Sequence, residues 1–330
     1  MIINAAVIGT GVGLHHIKAI DETKNAKVSI ICEKNTKRIN LLKKKFPQKI
    51  ITFDENQIFT NKNINLVSIA SYDDDHYSQI LKSIKSNKNI ISEKPMCLNL
   101  MELKKINKLL KSSKLYFTSN LVLQENQLFK SFKKKIYKKD IYYLEADYLW
   151  GRKNKLNGWR SSVKDYSVTL GAGIHVIDIV MWLIDKNPIS VFSYASRKGF
   201  LSKKFKKNSF YVYLLKFENG IIAKITANGP CAHNHFHELK IFEKNKTLVN
   251  SYLGAYMIKK NNMNFKLEYI KNQYPDKLNR SKLIKNFIER IIKKKSNKKV
   301  IKKNIDLMSV CFACDESIKQ KKEIKIKYLN

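Results

Sequence analysis

The chain has 330 residues, of which 44% are hydrophobic and 11% aromatic, so it can bury the cores of two domains. It has no low-complexity tract, no internal repeat and no apolar run near the roughly 20 residues of a membrane span, which argues against disordered, repeat and membrane-spanning proteins. The net charge is +37, yet only six of the 64 basic residues are Arg, and the lysines are spread along the chain. We interpret this charge as a composition bias and expect neither a specific nucleic-acid partner nor a membrane partner.

The first 118 residues alternate short apolar strands with amphipathic helices. Buried strands separated by helices predict a doubly wound parallel sheet of the α/β class. We therefore assign residues 1–120 to a dinucleotide-binding domain. The predicted strands are 2–8, 27–33, 50–53, 66–71, 89–92 and 115–118, and the predicted helices are 17–20, 36–46, 75–86 and 98–110.

Beyond residue 120 the strands become longer and helices become fewer. This pattern predicts a second α/β domain, 121–330, with a large, mostly antiparallel open sheet. Glu218-Asn219-Gly220 is typical of a hairpin turn, and the final helix, at about 305–319, is expected to pack back on the first domain. The predicted strands are 142–149, 189–196, 210–217, 221–228, 236–242 and 323–328, and the predicted helices are 124–137, 171–184, 281–294 and 305–319.

A glycine-rich turn follows the first strand directly, and its residues are Gly9, Thr10, Gly11, Val12 and Gly13. Strand, glycine turn and helix in this order are typical of a dinucleotide site, in which backbone N–H groups face a pyrophosphate. The spacing is one residue tighter than the usual pattern, and a structural turn without a ligand is the alternative. Glu33 ends the second strand, where a carboxylate accepts ribose hydroxyls and repels a 2′-phosphate. We therefore expect NAD as the cofactor, with NADP disfavoured.

Two motifs carry candidate catalytic groups. Lys94 lies in Glu93-Lys94-Pro95 at the carboxyl end of a predicted strand, where a lysine can stabilise a developing alkoxide; the alternative is a solvated lysine. His175 and Asp178 are one helical turn apart and share a face. A histidine there can take a substrate proton near neutral pH, and a core histidine is the alternative.

Three other groups are candidates for binding or metal chemistry. In the polar loop Gly158-Trp159-Arg160, the Trp suits a sugar face and the Arg a carboxylate or phosphate; a pinned surface loop is the alternative. His233, His235 and His237 alternate and are expected to line one face of a strand, and we favour polar lining over zinc and expect no metal. The pair Cys311 and Cys314 is expected to be buried and reduced, which suits a cytoplasmic protein, and a redox or zinc pair is the alternative. Because Met1 leads directly into a strand, no signal peptide is expected.

In their order along the chain, the motifs resemble the Gfo/Idh/MocA family, named for glucose–fructose oxidoreductase and inositol dehydrogenase. The resemblance covers nearly the whole chain. It implies an N-terminal Rossmann domain, a cis peptide before Pro95, catalytic roles for Lys94 and His175, and oligomers, dimers or tetramers, formed through the C-terminal sheet. The motifs that carry it are the turn ending at His16, Ser71 to His76, Glu93-Lys94-Pro95, Asn120, Gly158-Trp159-Arg160, Gly173-x-His175-x-x-Asp178 and the terminal helix around Met308 to Ser317.

The resemblance also implies roles for residues that local pattern leaves open. It implies that Ser71, His76 and Glu93 hold the cofactor, and that Asn120, Trp159, Arg160 and Asp178 contact the substrate. One departure concerns Gly171, where many members of the family carry Asp. This departure argues against inositol as the substrate, and the chain resembles a branch associated with surface-polysaccharide and sugar-nucleotide biosynthesis.

The expected activity is transfer of hydride between a nicotinamide cofactor and a secondary alcohol or ketone of a sugar or nucleotide sugar. Three alternatives stay open at this point. One is the same fold with tightly bound NAD in an oxidise–eliminate–reduce cycle that cleaves glycosides or epimerises. Another is a non-catalytic protein that senses sugars or nucleotides, and the third is nucleic-acid binding driven by charge.

Overall fold

The structure is a computed structural model that describes residues 2–261, 264–271, 274–275 and 278–329. In chain order its strands are β1 (Ile3–Ile8), β2 (Ala26–Cys32), β3 (Ile50–Thr52), β4 (Leu66–Ile69), β5 (Asn89–Ser92), β6 (Phe117–Ser119), β7 (Ile141–Leu149), β8 (Ser190–Ser196), β9 (Phe210–Lys216), β10 (Ile222–Asn228), β11 (Phe236–Glu243), β12 (Lys246–Ser251), β13 (Gly254–Asn261), β14 (Asn264–Tyr269) and β15 (Ile324–Lys325). Its helices are α1 (Gly13–Asp21), α2 (Thr36–Lys45), α3 (Asn56–Thr60), α4 (His76–Lys85), α5 (Leu100–Lys111), α6 (Gln127–Lys135), α7 (Ile174–Ile184), α8 (Asn279–Ile292) and α9 (Lys298–Gln320).

The chain divides into two compact units. Unit 1 comprises Met1–Val122 and Lys277–Ile305, and unit 2 comprises Leu123–Asp276 and Asp306–Asn330. The later segment of unit 1 contains α8 and the first turns of α9. The packing of the final helix on the Rossmann domain stays a prediction.

Unit 1 contains a six-stranded parallel sheet in the order β3-β2-β1-β4-β5-β6. This order reverses between β1 and β4, so the carboxyl ends of these strands flank the crevice where such sheets bind ligands. The helix predicted at 281–294 is α8, and its apolar residues are buried against the core that β1 and α1 share. The predicted doubly wound sheet is therefore confirmed, and α3 is a short helix that the sequence pattern missed.

Unit 2 contains a nine-stranded sheet in the order β14-β13-β12-β11-β7-β10-β9-β8-β15. Its neighbouring strands are antiparallel except for β7 and β10, which run parallel. The predicted hairpin forms between β9 and β10, where Gly220 has φ +79° and donates its N–H to the carbonyl of Phe217 at 3.0 Å. Strands β12 to β14 were not predicted, and β15 is shorter than expected.

Residues on one face of this sheet are largely buried, whereas the opposite face is open. Tyr211, Tyr213 and Leu215 of β9 are buried, but the alternating Leu214 is 42% exposed, and Tyr194 of β8 is 65% exposed on the same face. Cys311 and Cys314 of α9 are free and buried, as expected. Among the described residues, no helix has the length and apolarity needed to cross a membrane.

Candidate active site

The glycine turn joins β1 to α1 and closely approaches the end of β4. Gly9 has φ +85°, and a Cβ on it would lie 2.5 Å from the carbonyl oxygen of Ala70, so only glycine fits this position. A Cβ on Gly13 would lie 3.1 Å from Val7 and 3.2 Å from Ala70, so glycine here lets α1 pack closely on the sheet. In contrast, a Cβ on Gly11 would meet nothing within 4 Å. The turn is therefore closely packed at both ends and open at its middle.

Glu33 follows β2 and is buried beside the turn. Its Oε2 accepts hydrogen bonds from both the N–H, at 3.1 Å, and the hydroxyl of Thr10, and its Oε1 accepts from the N–H of Asn35 at 3.0 Å. Burial alone would raise the pKa of Glu33, but these hydrogen bonds and the charge of Arg38 outweigh it and lower the pKa. Glu33 is therefore an ionised acceptor at the position that a ribose occupies in dinucleotide-binding folds.

These features fit an NAD molecule. The open space at Gly11 leaves room for a pyrophosphate, and Val12 precedes α1 without a side-chain cap among the described residues, so the first N–H groups of α1 can bind an anion. The carboxylate of Glu33 supplies the acceptor for ribose hydroxyls. Gly9, Thr10, Gly11, Val12 and Gly13 would hold the pyrophosphate, and Glu33 the adenosine ribose.

A buried polar network surrounds Glu93 at the end of β5. Its Oε1 lies 3.1 Å from Nε2 of His16, 2.6 Å from Nδ2 of Asn120 and 3.6 Å from Nε of Arg280. Since an ionised carboxylate only accepts, Nε2 of His16 donates, and Nδ1 of His16 lies 2.8 Å from the hydroxyl oxygen of Ser68. The network joins the start of α1, β4, β5, β6 and α8 within unit 1.

The charge state of Glu93 follows from these neighbours. Burial acts to raise its pKa, but the hydrogen bond and charge of His16, with the charges of Arg280 and Lys94, hold it well below its usual range. Glu93 is therefore ionised. Asn120, predicted to contact the substrate, is 1% exposed and donates to Glu93; its role toward a substrate stays a prediction.

Lys94 is half-buried and comes directly after β5. The Lys94–Pro95 peptide is cis, as expected. The buried ring of His76 packs against this segment: its Nδ1 donates to the carbonyl of Pro95 at 2.7 Å, and its Nε2 lies 3.3 Å from the carbonyl of Ser71. Ser71 in turn donates its hydroxyl to Gln79 at 2.7 Å. His76 and Ser71 thus connect the loop after β4 to the one that carries Lys94.

In unit 2, His175 of α7 belongs to a cluster of histidine and tyrosine rings. Its ring stacks on Tyr148 of β7 with centroids 6.0 Å apart, and it lies 6.4 Å from the ring of His237. Nε2 of His235 is 3.0 Å from the hydroxyl of Tyr148, and Nδ1 of His237 is 2.6 Å from the hydroxyl of Tyr274. The cluster restrains the orientation of the His175 ring.

The other two histidines of the cluster are neutral. Burial, with the charges of Arg152 and Lys155, lowers the pKa of His235 to about 4. Burial, with His235 and His175, lowers the pKa of His237 well below its usual value. Burial also raises the pKa of the Tyr148 phenol, which therefore stays protonated. The rings of Tyr148, His235 and His237, which pack around His175, are therefore uncharged.

The segment before α7 explains the glycine at position 171. A Cβ on Gly171 would lie 2.0 Å from the hydroxyl oxygen of Tyr166, so the tyrosine occupies the space of any larger side chain there. Asp315 of α9 accepts hydrogen bonds from the hydroxyls of Ser167 at 2.7 Å and Thr169 at 2.5 Å. Thr169 also accepts from the hydroxyl of Tyr213 at 2.8 Å. These contacts hold the wide helical turn, Thr169–Gly173, that leads into α7.

The remaining predicted residues of unit 2 lie on or near this segment. Asp178 is buried one turn after His175, and its Oδ1 accepts from Nε2 of Gln124 at 2.7 Å. The guanidinium carbon of Arg160 lies 4.2 Å from the ring centroid of Trp159 and 5.5 Å from that of Trp150. The predicted stacking partner of a sugar therefore packs against Arg160.

The three alternating histidines do not act as one set, which corrects the expectation of a shared strand face. Only His237 lies in β11, and its ring is 5.0 Å from that of His235. His233 instead packs against Tyr252, 4.9 Å away, because the chain has not yet entered the sheet at this point. Within the described ranges, no group of three or more His, Cys, Asp or Glu side chains is arranged to hold a metal ion.

The structure therefore forms two clusters from the predicted residues, one in each unit. The sequence pattern missed the partners that hold them, which come from distant elements: Arg280 of α8, Tyr148 of β7 and Asp315 of α9. The one local signal for such a partner is the position of Asp315, which directly follows the apolar stretch 310–314 of α9.

Two family models match the chain. The NAD-binding Rossmann domain of the Gfo/Idh/MocA oxidoreductase family matches residues 3–121, and the C-terminal domain of that family matches residues 140–249. The curated relative YteT of Bacillus subtilis (strain 168) is 24% identical over 186 residues, which are 50% of this chain and 42% of that protein. The aligned region thus spans less than half of that relative.

Solved structures share the fold over the whole chain. Levoglucosan dehydrogenase in complex with NADH is 17% identical, covers 100% of both chains and has a TM-score of 0.86. Myo-inositol 2-dehydrogenase from Lactobacillus plantarum is 17% identical over 99% of this chain and 100% of that one, with a TM-score of 0.84. Scyllo-inositol dehydrogenase from Lactobacillus casei with NAD(H) and scyllo-inositol is 16% identical over 98% and 99%, with a TM-score of 0.81.

At these identities the solved structures show the fold alone, and the family models carry the assignment. The two models match successive parts of the chain, and the first covers the glycine turn, Glu33 and Lys94. The chain belongs to the Gfo/Idh/MocA family of oxidoreductases and has that family's NAD-binding Rossmann domain.

Proposed function

We propose that this protein is an NAD-dependent dehydrogenase that interconverts a secondary alcohol and a ketone on a sugar or a nucleotide-linked sugar. The observation that carries the proposal is the arrangement in unit 1, where an open glycine turn and an ionised Glu33 precede a half-buried Lys94 at the end of β5. This is the site of the coenzyme and of the reacting carbon in open parallel sheets.

The residues of unit 1 divide the binding of the coenzyme between them. Gly11 and the N–H groups at the start of α1 bind the pyrophosphate, and Glu33 binds the adenosine ribose and repels a 2′-phosphate. Ser71, His76 and Glu93 support the nicotinamide end. NAD, when bound, supplies the acceptor and, when reduced, the donor of hydride.

Proton transfer falls to Lys94 and His175. The Lys94 ammonium donates a hydrogen bond to the reacting oxygen and stabilises the negative charge that develops there. A ring nitrogen of His175 takes the proton of the substrate hydroxyl, and its stacking on Tyr148 restricts the ring orientation. Gly171 supplies no carboxylate, so His175 works without the Asp that many relatives carry.

The proposed substrate is a sugar, and the proposed assembly is a homo-oligomer. Structural neighbours include dehydrogenases of inositols and levoglucosan, which are polyhydroxylated rings, and Asn120, Trp159, Arg160 and Asp178 are the candidates for binding a sugar here. The open face of the unit 2 sheet, with Tyr194 and Leu214 exposed, suits a homo-oligomer, a dimer or a tetramer. The free thiols suit the reducing cytoplasm.

Calorimetric titration of the purified chain with NAD(H) and NADP(H) tests the cofactor site. We expect micromolar binding of NADH, weakened about tenfold or more by Glu33→Ala, because hydrogen bonds to a charged group are lost. Since Glu33 also holds Thr10, Glu33→Gln serves as a second variant that keeps an acceptor for the turn. Glu22→Ala is the matched control, because Glu22 is a surface carboxylate of the same unit.

Turnover is the second readout. Lys94→Met should lower kcat by about 10²-fold or more while leaving NADH binding intact, if the ammonium stabilises the transition state. Full turnover in Lys94→Met would remove Lys94 from the mechanism. A folded, cofactor-free sample that binds neither NADH nor NADPH would overturn the dehydrogenase proposal and favour a sensing protein.

A further inference from the structure

The segment between β7 and α7 contains five cationic side chains, and three of them interact electrostatically with one another. These three are Arg152, Lys155 and Arg160: burial and the charges of both arginines lower the pKa of Lys155, and within the described ranges none of the three forms an ion pair with a carboxylate. Lysines elsewhere in this unit do find such partners, as Lys224 and Lys240 do at Glu145. Because no carboxylate of the described residues neutralises them, these three cations form a site of positive potential.

Arg160 is held in place within this loop. Its guanidinium lies against the rings of Trp159 and Trp150, with centroid distances of 4.2 and 5.5 Å. Its Nε is buried and has no hydrogen-bond partner among the described residues. A buried N–H of this kind is costly unless an acceptor satisfies it, and a planar guanidinium matches a carboxylate or a phosphate. The side chain is therefore pre-organised to bind an anion.

The loop cations adjoin the ring cluster that contains His175. The positive charges of Arg152 and Arg160 act on the Tyr148 phenol, and those of Arg152 and Lys155 act on His235. Tyr148 and His235 are hydrogen-bonded at 3.0 Å, and Tyr148 also stacks on His175. Tyr148 thus contacts the candidate base, His175, and interacts electrostatically with the cations of the loop.

We propose that Arg152, Lys155 and Arg160, which we name the loop cation site, bind a negatively charged group on the substrate. The inference rests on the proposed function and narrows its substrate class to acidic sugars, in which a carboxylate or a phosphate is carried by the ring or by an attached nucleotide. The scyllo-inositol and levoglucosan named with the structural neighbours are uncharged. Charge is therefore the property by which this chain selects its substrate.

Binding to the full chain, saturated with NADH, tests this inference. The probes are glucuronate for a carboxylate, glucose 1-phosphate for a phosphate, inorganic phosphate alone, and glucose as the neutral ring. We expect one acidic probe to bind more tightly than glucose, to weaken as salt is raised, and to lose about 10- to 100-fold in affinity in Arg160→Ala. Arg197→Ala is the matched control, because Arg197 is an exposed arginine of the same unit.

A second variant guards against loss of folding in Arg160→Ala. Arg152 and Lys155 are exposed, so the double change Arg152→Ala with Lys155→Ala leaves the core intact and should also weaken the acidic probe. Preference for glucuronate or for glucose 1-phosphate identifies which anionic group is bound. Glucose binding as tightly as both acids, or affinities unchanged in both loop variants, would overturn the loop cation site.

The two proposals fail separately. NADH binding and turnover of a neutral sugar that is insensitive to Arg160→Ala would remove the loop cation site and keep the dehydrogenase. Acidic-probe binding that depends on Arg160 in a chain that binds no nicotinamide coenzyme would keep the anion site as a feature of a sensing protein.

Discussion

Glu93 in unit 1 and Asp315 in unit 2 are carboxylates within polar networks, and their pKa values are shifted in opposite directions. In unit 1, Glu93 faces His16, Asn120, Arg280 and Lys94, and these neighbours hold its pKa well below the usual range despite burial. In unit 2, burial raises the pKa of Asp315 to about 6, because its direct partners are the neutral hydroxyls of Ser167 and Thr169, and Lys319 only partly offsets it. Burial alone therefore does not decide ionisation; the charge of the donors does.

Glu93 and Asp315 also have different roles in the structure. Glu93 is a permanent negative charge that fixes cationic groups beside a coenzyme site. Asp315 holds a turn, Thr169–Gly173, in front of His175 and need not be charged to do so. Each of the following predictions alters one side of this contrast.

The largest effect is expected for Glu93→Gln, which removes the charge and keeps the shape. The buried His16 ring would then lose its ionised acceptor, and Arg280, whose Nε is buried, would lose its counter-charge, so the free energy of unfolding should fall by about 3–5 kcal/mol. Urea denaturation followed by circular dichroism measures it. Glu289→Gln changes an exposed partner of Lys293 and should cost less than about 1 kcal/mol. Equal stability of the two variants would show that Glu93 is not ionised in the fold.

A smaller effect is expected at Asp315, where ionisation destabilises the fold instead of stabilising it. Because its pKa is raised to about 6 from an ordinary value of about 3.9, its contribution to stability is full below about pH 4 and is lost as the pH rises through 6. The contribution spans at most about 3 kcal/mol. Melting temperatures of the wild-type chain should therefore fall relative to those of Asp315→Asn between about pH 4 and 7. A relative rise over that range would contradict the neutral surroundings of Asp315.

The smallest effect is expected for Ser167→Ala, which removes one of the two hydroxyl donors of Asp315. The loss of a single hydrogen bond should lower the free energy of unfolding by about 1 kcal/mol. Because that bond also lowers the pKa of Asp315, its removal should move the midpoint of the pH-dependent change in melting temperature above pH 6. The pH dependence of melting in this variant measures both changes. Ser161→Ala, whose hydroxyl donates to the Gly158 carbonyl, is the control. A midpoint that moves downward would contradict the assignment of Ser167 as a donor.

The pattern of neighbouring residues predicted the elements that are determined by local backbone conformation. The turn from Gly9 to Gly13 and the ends of β2 and β5 follow from apolar runs interrupted by glycine or charge, which act over a few residues. Strands β12 to β14 were missed because lysines and asparagines interrupt their alternation. The helix expected at 124–137 is split by Asn126, whose side chain caps α6.

Partnerships between distant residues could not be predicted in this way. The hydrogen bond from the Asn120 amide to Glu93 is one such partnership. From the sequence, Gly171 is only a position that lacks the Asp of many relatives. The packing shows that Tyr166 occupies the space that a side chain at this position would need. His233 was grouped with His235 and His237 by spacing, although the strand begins after it.

The sequence by itself determined that the chain forms two α/β units, a glycine turn for a dinucleotide and a lysine at a strand end, because each of these is specified by neighbours along the chain. Only the tertiary structure decided which buried groups carry charge. Glu93 is ionised because α1 and α8 bring His16 and Arg280 to it, and burial raises the pKa of Asp315, whose direct partners are two hydroxyls. Electrostatic energy depends on distance in space, which local sequence does not encode.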